Sequence, residues 1–593
     1  MKKNILLVLL FGLACLLPAI EFMKLSEIKP GMEGEGKTIF KGSTIETFKF
    51  KVLGILDKFV SDKNMIIAEL FAPELTDGGV IAGMSGSPVY IGGKLIGSVS
   101  YGLSNFSKKP IAGITPIEDI LKISDYSGSV DSVEISDIKI DFSKENVKRV
   151  AEAIRNQLVS RMNFSPAKSM MPIKLFSSSR GFSPEAVAIL QEVFVPLQNF
   201  SIGKDIDKNK FNEELFTVHP ADAVSIPLIR GDAMYAATGT VTHVDGKKVY
   251  VFGHPFFNLG TVDFPLHRAE VISVVPSYES SFKLVVTRNM VGAVQQDRFS
   301  GVQAELGKTP YMIPLKIFLK NRNKIFNLEL VSHPLLTPAL TYMSLLNALL
   351  AEYQEFGFQS IAVNGKIFIE NEDNVVLNDL FSGTSAFDEF SSLVMAVNYF
   401  LMNNKEKNIK IQKMDFEISG REVIKKAELE NVLIDKNAYL PEEPIAIRMF
   451  LKNEKGANFE EQVAIKAPNL KPGSVFYLMA ADAMEVTEFD NKFIKTAYFP
   501  TKLNALIRAI NNIRKNNRIY LKIFVPSQGV FINGFEYPYL PSSVSNVLFY
   551  NSLSKDQANV QISTIAEYQY EVPAVVSGKK IFKLTIKERK NES

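Results

Sequence analysis

The most informative segment of this sequence reads Gly83-Met84-Ser85-Gly86-Ser87-Pro88. Glycines stand on both sides of Ser85, and glycine reaches backbone conformations that a Cβ forbids, so the chain can turn sharply here. Such a turn exposes one hydroxyl and directs backbone N–H groups to the place where an oxyanion would form. The alternative interpretation is a Gly/Ser-rich hairpin between two strands, because short motifs also arise by chance.

The residues after this loop predict two short antiparallel strands. Apolar residues alternate along Val89–Ile91 and again along Leu95–Tyr101. The dipeptide Gly92-Gly93 separates the two runs, and such dipeptides favour tight turns between antiparallel strands. The loop is therefore expected to lie at the edge of a β-structure.

The loop and its flanks resemble a known family. The six residues closely match the G-D-S-G-G-P loop of chymotrypsin-like serine peptidases, and residues 81–118 are similar to the SpoIVB peptidase family. Its members are bacterial serine peptidases with a trypsin-like double barrel. A second segment, residues 237–242 followed by residues 249–256, also resembles that family.

The resemblance implies roles for three residues of this chain. Ser85 would be the nucleophile, the N–H groups of Gly83 and Ser85 would form the oxyanion hole, and His254 would be the general base. Ser87 is the fallback nucleophile, because Ser85 holds the matching place in the loop. The serine segment precedes the histidine segment here, whereas the order is reversed in the sporulation peptidase that names the family. We therefore expect a permuted order of the two half-barrels, which geometry permits.

The acid of a catalytic triad is less well defined by the sequence. In the sporulation peptidase an aspartate precedes the serine, but the corresponding position here lies close to Leu70, and the neighbouring acids are out of register: Glu74 and Asp77. In chymotrypsin-like barrels the acid follows the histidine, and Asp297 fits that arrangement. Asp263 and Glu270 are closer alternatives, and a Ser85–His254 dyad also remains open because loss of the acid does not abolish catalysis.

The sequence gives no sign of a cofactor or a metal site. No pair of its five histidines has the H-x-x-x-H or H-E-x-x-H spacing of a zinc site. Only His254 lies within a motif, and most of the other four are predicted at surface or turn positions: His219, His243, His267 and His333. We therefore expect a peptidase that needs neither metal nor organic cofactor.

Composition excludes several classes of protein. The chain has 593 residues, of which 22% are charged and 46% hydrophobic, which is typical of a folded multi-domain protein. The net charge is only +3 and no Lys/Arg cluster alternates with aromatic residues, so nucleic acid is not an expected partner. Forty-three Phe and 19 Tyr residues favour a β-rich core.

The N-terminus has the pattern of a signal peptide. Lys2 and Lys3 precede an apolar run from Ile5 to Leu17, which is shorter than the roughly 20 residues of a membrane span. The protein is therefore expected in the periplasm or cell envelope, with membrane contact only if this segment is not cleaved. The only cysteine, Cys15, lies within the segment, so the mature chain cannot form disulfides.

The predicted fold is mainly β: a trypsin-like double β-barrel with a helical connector, followed by helices and a C-terminal β-sandwich-like domain. The expected boundaries are a signal peptide at 1–20, a Ser-bearing half-barrel at 23–122, a helical connector at 123–215, a His-bearing half-barrel at 216–335, a helical region at 336–415 and a β-rich domain at 416–593. Helix starts are predicted at Ser143 and at Ser183-Pro184, where a capping serine precedes helical periodicity.

Three functional hypotheses follow. The leading one is an exported serine endopeptidase that acts on a restricted protein substrate or on itself. The second is a non-catalytic envelope scaffold with a peptidase fold, since a fold does not entail an activity. The third is a protein that cuts itself once and then binds a partner. The C-terminal domain contains no recognisable chemistry and is expected to be structural or to bind an envelope protein.

Overall fold

The structure is a computed structural model, and it describes residues 21–60, 62–76, 79–103, 109–128, 142–162, 170–173, 176–193, 198–200, 217–277, 280–353, 359–421, 423–493, 502–532, 535–537, 543–544 and 557–587. The predicted signal segment and Asp77 lie outside these residues. The described part is mainly β, as the sequence predicts, and its helices lie mostly in the middle of the chain.

The first sheet closes into a barrel of six antiparallel strands. Its elements, which include two short helices, are β1 (Glu33–Thr38), β2 (Glu46–Val60), β3 (Lys63–Phe71), α1 (Pro73–Thr76), β4 (Pro88–Ile91), β5 (Lys94–Leu103), β6 (Ile111–Pro116) and α2 (Ile117–Leu121). Strand β4 pairs with both β1 and β5, which closes the ring. The serine loop runs between α1 and β4 at the end of this barrel.

The connector contains both predicted helices and three short strands. Its elements are α3 (Lys144–Met162), β7 (Met170–Pro172), β8 (Phe176–Arg180), α4 (Pro184–Val193) and β9 (Gln198–Phe200). The Ser143 hydroxyl accepts from the N–H of Asn146 at 3.4 Å, which confirms the predicted cap of α3. Likewise, the Ser183 hydroxyl accepts from the N–H of Ala186 at 3.2 Å and caps α4.

A second ring of six antiparallel strands follows. It consists of β10 (Ala223–Gly231), β11 (Met234–Asp245), β12 (Lys248–Val251), β13 (Gly260–Val275), β14 (Phe282–Arg298) and β15 (Gly301–Leu306). The order is β10-β13-β14-β15-β12-β11, and the pairing of β11 with β10 closes it. The double barrel predicted from the sequence is therefore present.

The second barrel continues into an outer sheet covered by helices. The added elements are β16 (Met312–Leu319), β17 (Lys324–Val331), α5 (Leu336–Glu352), β18 (Gln359–Ile369), β19 (Val375–Gly383), α6 (Ala386–Met402) and β20 (Ile411–Arg421). One core cluster joins residues of the barrel, α5 and α6, so the two helices pack as a layer on the same body. The region predicted to be helical, 336–415, also contains β18, β19 and the start of β20, which the sequence analysis did not predict.

The C-terminal part forms two facing sheets, as predicted. Its elements are β21 (Lys426–Ile434), β22 (Ala438–Tyr439), β23 (Pro444–Asn453), β24 (Asn458–Lys466), β25 (Val475–Ala481), α7 (Ala483–Phe493), α8 (Leu503–Asn511), β26 (Arg518–Ile532), β27 (Phe535–Tyr537), β28 (Gln557–Glu571), β29 (Val575–Ser577) and β30 (Lys579–Ile586). The sheets, ordered β24-β23-β21-β29 and β22-β30-β25-β26-β27, share one apolar core, which is the arrangement of a sandwich.

Helix α8 is an exception to the predicted domain organisation. Its buried residues Leu503, Leu506, Ile507 and Ile510 belong to the core of the second barrel and the helical layer, not to the core of the sandwich. Among the described helices, none has the length and apolar character needed to cross a bilayer.

Candidate active site

Hydrogen-bond donors of strand β11 bind the backbone carbonyl groups of the serine loop. The Thr240 hydroxyl donates to the carbonyl of Gly83 at 2.9 Å, and the Thr240 N–H donates to the carbonyl of Ser85 at 2.8 Å. Two residues further along β11, the Thr242 hydroxyl donates to the carbonyl of Gly86 at 2.8 Å. Three loop carbonyls are therefore turned toward the second barrel and fixed there.

Glycine is required at two positions of this loop. Gly83 has a φ of +96° and Gly86 a φ of +94°, a region that other residues rarely adopt. A Cβ on Gly86 would lie 2.1 Å from the carbonyl oxygen of Thr240, so no larger residue fits against β11. The sharp turn predicted around Ser85 is therefore confirmed.

Two backbone N–H groups of the loop are available to bind an oxyanion. Met84, Gly86 and Ser87 donate their N–H groups to carbonyls within the first barrel. In the part of the chain that the structure describes, no hydrogen bond has the N–H of Gly83 or of Ser85 as its donor. These are the two groups that the resemblance assigns to the oxyanion hole, where unoccupied donors are needed.

The histidine motif forms a tight turn directly after β12. Phe252 and Gly253 have φ values of +71° and +69°, and the first of these is a conformation that costs a bulky residue about 1–3 kcal/mol. A Cβ on Gly253 would lie 2.2 Å from the hydroxyl oxygens of Ser98 and Ser100. The Thr115 hydroxyl also donates to the carbonyl of Gly253 at 2.7 Å. Residues of the first barrel thus hold the turn that carries His254.

The two motifs meet at this turn. The Ser85 hydroxyl donates to the carbonyl of Phe252 at 3.0 Å, two residues before His254. Among the hydrogen bonds of the described residues, none joins Ser85 to His254. The fold therefore brings both predicted residues to one place, and a proton transfer between them requires the Ser85 hydroxyl to leave the Phe252 carbonyl.

His254 is held in the tautomer that a general base requires. Its Nδ1 lies 2.8 Å from the carbonyl oxygen of Pro255, and because a carbonyl can only accept, the ring proton of the neutral imidazole is on Nδ1. The lone pair is then on Nε2, which is buried and has no partner in the described structure. Burial lowers the pKa of His254 to about 4, so the ring is neutral at pH 7 and can accept a proton.

Asp297 lies beside the histidine turn but contacts its backbone. Its two carboxylate oxygens accept the N–H groups of Phe256 and Phe257 at 2.8 Å each, and that of Leu259 at 3.2 Å. Burial raises the pKa of Asp297 to about 6 in spite of these bonds. The carboxylate thereby fixes the segment after Pro255, whose carbonyl orients His254. A direct bond from Asp297 to the imidazole is not among the contacts of the described residues, and its role as triad acid stays a prediction.

The alternative acids have other partners. Asp263 accepts from the side-chain amide of Gln295 at 3.1 Å and from the N–H of Tyr311 at 2.7 Å. Glu270 pairs with Arg288 near the surface. Glu74 is exposed on α1.

The whole site is buried. Ser85 and His254 are 0% and 1% exposed, and both serines of the loop are fully covered. Tyr101 covers His254, with ring centroids 6.2 Å apart in an edge-to-face contact, and its hydroxyl is buried without a partner among the described residues. A peptide therefore needs a rearrangement of the site before it can reach Ser85.

The prediction for the other histidines was right for one and wrong about the burial of three. His219 is exposed and faces Asp222, as expected of a turn residue. His243 and His267 are buried in β11 and β13, and His333 is buried in the segment between β17 and α5. The prediction underestimated how much of these segments is buried. In the described ranges, no group of three or more His, Cys, Asp or Glu side chains could hold a metal ion.

Two functional threonines were missed although they lie in a quoted motif. Thr240 and Thr242 belong to the second family-like segment and alternate along β11 on the side that faces the loop. Lys283 was also missed, and its side chain packs against Gly83. A lysine within the apolar run of β14 was the only signal for it in the sequence.

Comparison with known proteins shows a family likeness for the N-terminal part of the chain. Residues 19–115 match the family model described as SpoIVB peptidase S55. Neither the comparison with curated proteins nor that with solved structures gives a match. The matched residues include the serine loop and almost all of the first barrel, but neither His254 nor Asp297. The Ser-bearing barrel of this chain is thus similar to the SpoIVB peptidase S55 family, which supports a serine peptidase function in general.

Proposed function

We propose that this protein is an exported serine endopeptidase that cleaves a restricted protein substrate or itself. The observation that carries the proposal is the serine loop, in which no described residue accepts from the N–H groups of Gly83 and Ser85 while the neighbouring carbonyls are bound by Thr240 and Thr242. Loops of this kind form the oxyanion hole of acyl-transfer enzymes. The Nε2 lone pair of His254, at the adjoining turn, provides the matching base.

In the proposed reaction, the Ser85 hydroxyl leaves the Phe252 carbonyl and transfers its proton to Nε2 of His254. The Ser85 oxygen bonds to the scissile carbonyl carbon, and the N–H groups of Gly83 and Ser85 bind the resulting oxyanion. The C–N bond then breaks as His254 returns the proton to the leaving amine. Water hydrolyses the acyl-enzyme by the same route, with His254 again as base. Asp297 supports His254 through the segment that it holds.

Burial of the site favours a restricted activity. A fully covered serine cannot meet unfolded polypeptide indiscriminately, so we propose that a specific substrate or partner induces the opening. Export is proposed from the N-terminal segment of the sequence. The C-terminal sandwich, whose described residues form a core of their own, is a candidate site for an envelope partner.

The same burial is the observation that favours a second candidate, a non-catalytic scaffold with a peptidase fold. A peptide library derived from envelope proteins separates the two. We expect mass spectrometry to find new peptide termini with the wild type and none with Ser85→Ala or His254→Ala. Fragments of the protein itself that vanish in Ser85→Ala would indicate self-processing. If all three proteins leave the library and themselves intact, the scaffold hypothesis stands instead.

A further inference from the structure

Lys283 is a buried lysine at the serine loop. It lies at the start of β14 in the second barrel, and it is 1% exposed. No ion pair of the described residues involves its ammonium group. A lysine in such a place is costly unless its amine is hydrogen-bonded or neutral, so its presence needs a physical reason.

Lys283 meets the start of the serine loop directly and reaches Ser87 through Thr38. Its backbone N–H donates to the carbonyl of Ala82 at 3.0 Å, directly before Gly83. Its aliphatic stem packs on Gly83 so closely that a Cβ there would lie 3.2 Å from it. Its Nζ lies 2.6 Å from the hydroxyl oxygen of Thr38, and the Ser87 hydroxyl donates to the same oxygen at 3.0 Å. One residue of the second barrel thus holds both ends of the loop.

The protonation state of Lys283 decides whether the hydroxyl protons of Ser87 and Thr38 both have an acceptor. When the amine is neutral, Ser87 donates to Thr38 and Thr38 donates to Nζ, so each buried hydroxyl has an acceptor. An ammonium group can only donate, and Thr38 must then accept from both neighbours. The Thr38 proton is left without an acceptor among the described residues, which is unfavourable in a buried site.

We propose that Lys283 is a positioning residue of the serine loop, which in its neutral form completes the chain from Ser87 through Thr38 and fixes the N–H of Gly83 in the orientation that an oxyanion requires. This inference rests on the proposed peptidase function. It adds a residue that does not touch the reacting atoms and that acts through the loop. It also adds a condition, since the loop is correctly held only when Lys283 has lost its proton.

The electrostatic environment supports this condition. Burial lowers the pKa of Lys283 to about 7. Among the described residues, Glu46 of β2 is the charged group that acts on it, and Glu46 opposes the shift. The proton is therefore lost near neutral pH, and the reactivity of Ser85 should rise as the pH increases through about 7. The pKa of His254, about 4, places its titration well below this range.

The test uses a fluorophosphonate probe, because it reacts with activated serines without knowledge of the substrate. Adduct formation on Ser85 is followed between pH 5 and 9 on the full chain. Two quantities are measured: the maximal rate, and the probe concentration that gives half of this rate. The variants are Lys283→Met, which keeps the stem against Gly83, Thr38→Val, which breaks the chain at its middle, and Thr38→Ser, which keeps the hydroxyl. Thr341→Val is the control, because that buried hydroxyl donates to the carbonyl of Thr337 within α5, away from the serine loop.

We expect Lys283→Met and Thr38→Val to lower the maximal rate by about 10²-fold with little effect on half-saturation, as a small displacement of catalytic groups does. The rise near pH 7 should be present in the wild type, Thr38→Ser and Thr341→Val and absent from Lys283→Met. A wild-type rate and pH profile in Lys283→Met would overturn the proposal. If Lys283→Met does not fold, the proposal is tested by the labelling rate of Thr38→Val and by the wild-type pH profile. A wild-type rate in Thr38→Val, or a wild-type profile without the rise near pH 7, would overturn it.

A second readout separates this inference from the peptidase proposal. Hydrogen exchange of the peptide that carries Gly83–Pro88 reports the order of the loop without any reaction. We expect its protection, corrected for the intrinsic effect of pH, to increase through pH 7 in the wild type and to remain low in Lys283→Met. Lack of probe reaction together with this result would reject the peptidase function alone. Equal protection in the two proteins would reject the role of Lys283.

Discussion

At the scale of single residues, Thr240 is the side chain that holds the carbonyl of Gly83, whose N–H belongs to the proposed oxyanion hole. Thr240→Val removes the hydroxyl that binds the Gly83 carbonyl and keeps the N–H that binds Ser85. We expect a loss of about 1–3 kcal/mol in the free energy of unfolding, because a buried carbonyl loses its donor. The fluorophosphonate rate should fall at least 10-fold.

The matched control for this prediction is Thr238→Val on the same strand. The Thr238 hydroxyl bonds to the Ser225 hydroxyl at 2.9 Å and does not touch the loop. A similar loss of stability with an unchanged labelling rate is expected. If both variants lower the labelling rate equally, the effect of Thr240 is only a general loss of stability.

Lys283 should make stability depend on pH. Its pKa is lowered from 10.5 to about 7 on folding, so between these values the unfolded chain binds a proton that the folded chain lacks. The free energy of unfolding must therefore rise with pH across this window, on the order of a few kcal/mol, and be flat for this group below about pH 7. Urea midpoints at pH 7, 8.5 and 10 should rise less in Lys283→Met than in the wild type. If the midpoints of the two proteins change equally with pH, Lys283 keeps its proton in the folded state.

Asp297 should matter for stability as well as for reactivity. Asp297→Ala leaves three buried N–H groups without an acceptor, and we expect a loss of several kcal/mol in the free energy of unfolding. Asp297→Asn keeps one carbonyl oxygen and should be less destabilising. An acid that only oriented the imidazole would lower the labelling rate without this loss of stability, so thermal unfolding beside labelling distinguishes the two roles.

At the scale of elements, the loop and the histidine turn fit together only with glycine at the contacts. Gly86→Ala places a Cβ 2.1 Å from the Thr240 carbonyl, whereas Gly92→Ala in the β4–β5 turn meets nothing within 4 Å. Both residues have positive φ, so both variants carry a backbone cost of about 1 kcal/mol. We expect Gly92→Ala to fold and label normally and Gly86→Ala to lose labelling. Equal behaviour of the two would contradict the close approach of the loop to β11.

The sequence predicted elements better than it predicted contacts between them. The capping serines of α3 and α4 were visible because local hydrogen bonds determine a helix start. The β-strands of both barrels were visible from alternation and glycine turns. That Thr240 would bind Gly83, or that Lys283 would cross from one barrel to the other, depends on strand register over long separations, which periodicity does not encode.

At the scale of the whole molecule, the two barrels form one site because each barrel binds the sequence motif that the other carries. Threonines of the second barrel bind the serine loop, and Thr115 of the first barrel binds the histidine turn. The permuted order expected from the sequence does not hinder this exchange, since geometry and not chain order defines such a site.

The C-terminal part is tied to this body by α8. Its apolar residues pack in the core of the helical layer, so we expect the chain cut after residue 421, at the end of β20, to expose that core and to aggregate. In the full chain, Ile510→Ala should cost about 2–4 kcal/mol, because it opens a cavity in a fully buried position. Thermal unfolding checks this, with Ile565→Ala on the exposed part of β28 as the neutral control. A stable, monodisperse fragment 21–421 would show instead that the domains are independent.

The account depends most on the claim that the loop Gly83–Pro88 carries an activated serine. The direct measurement is fluorophosphonate labelling of the purified, folded protein at pH 8, followed by peptide mapping, with Ser85→Ala and His254→Ala beside the wild type. We predict one adduct, on Ser85, that is absent from Ser85→Ala and strongly reduced in His254→Ala. A folded wild-type protein without an adduct, or with an adduct outside this loop, would contradict the account.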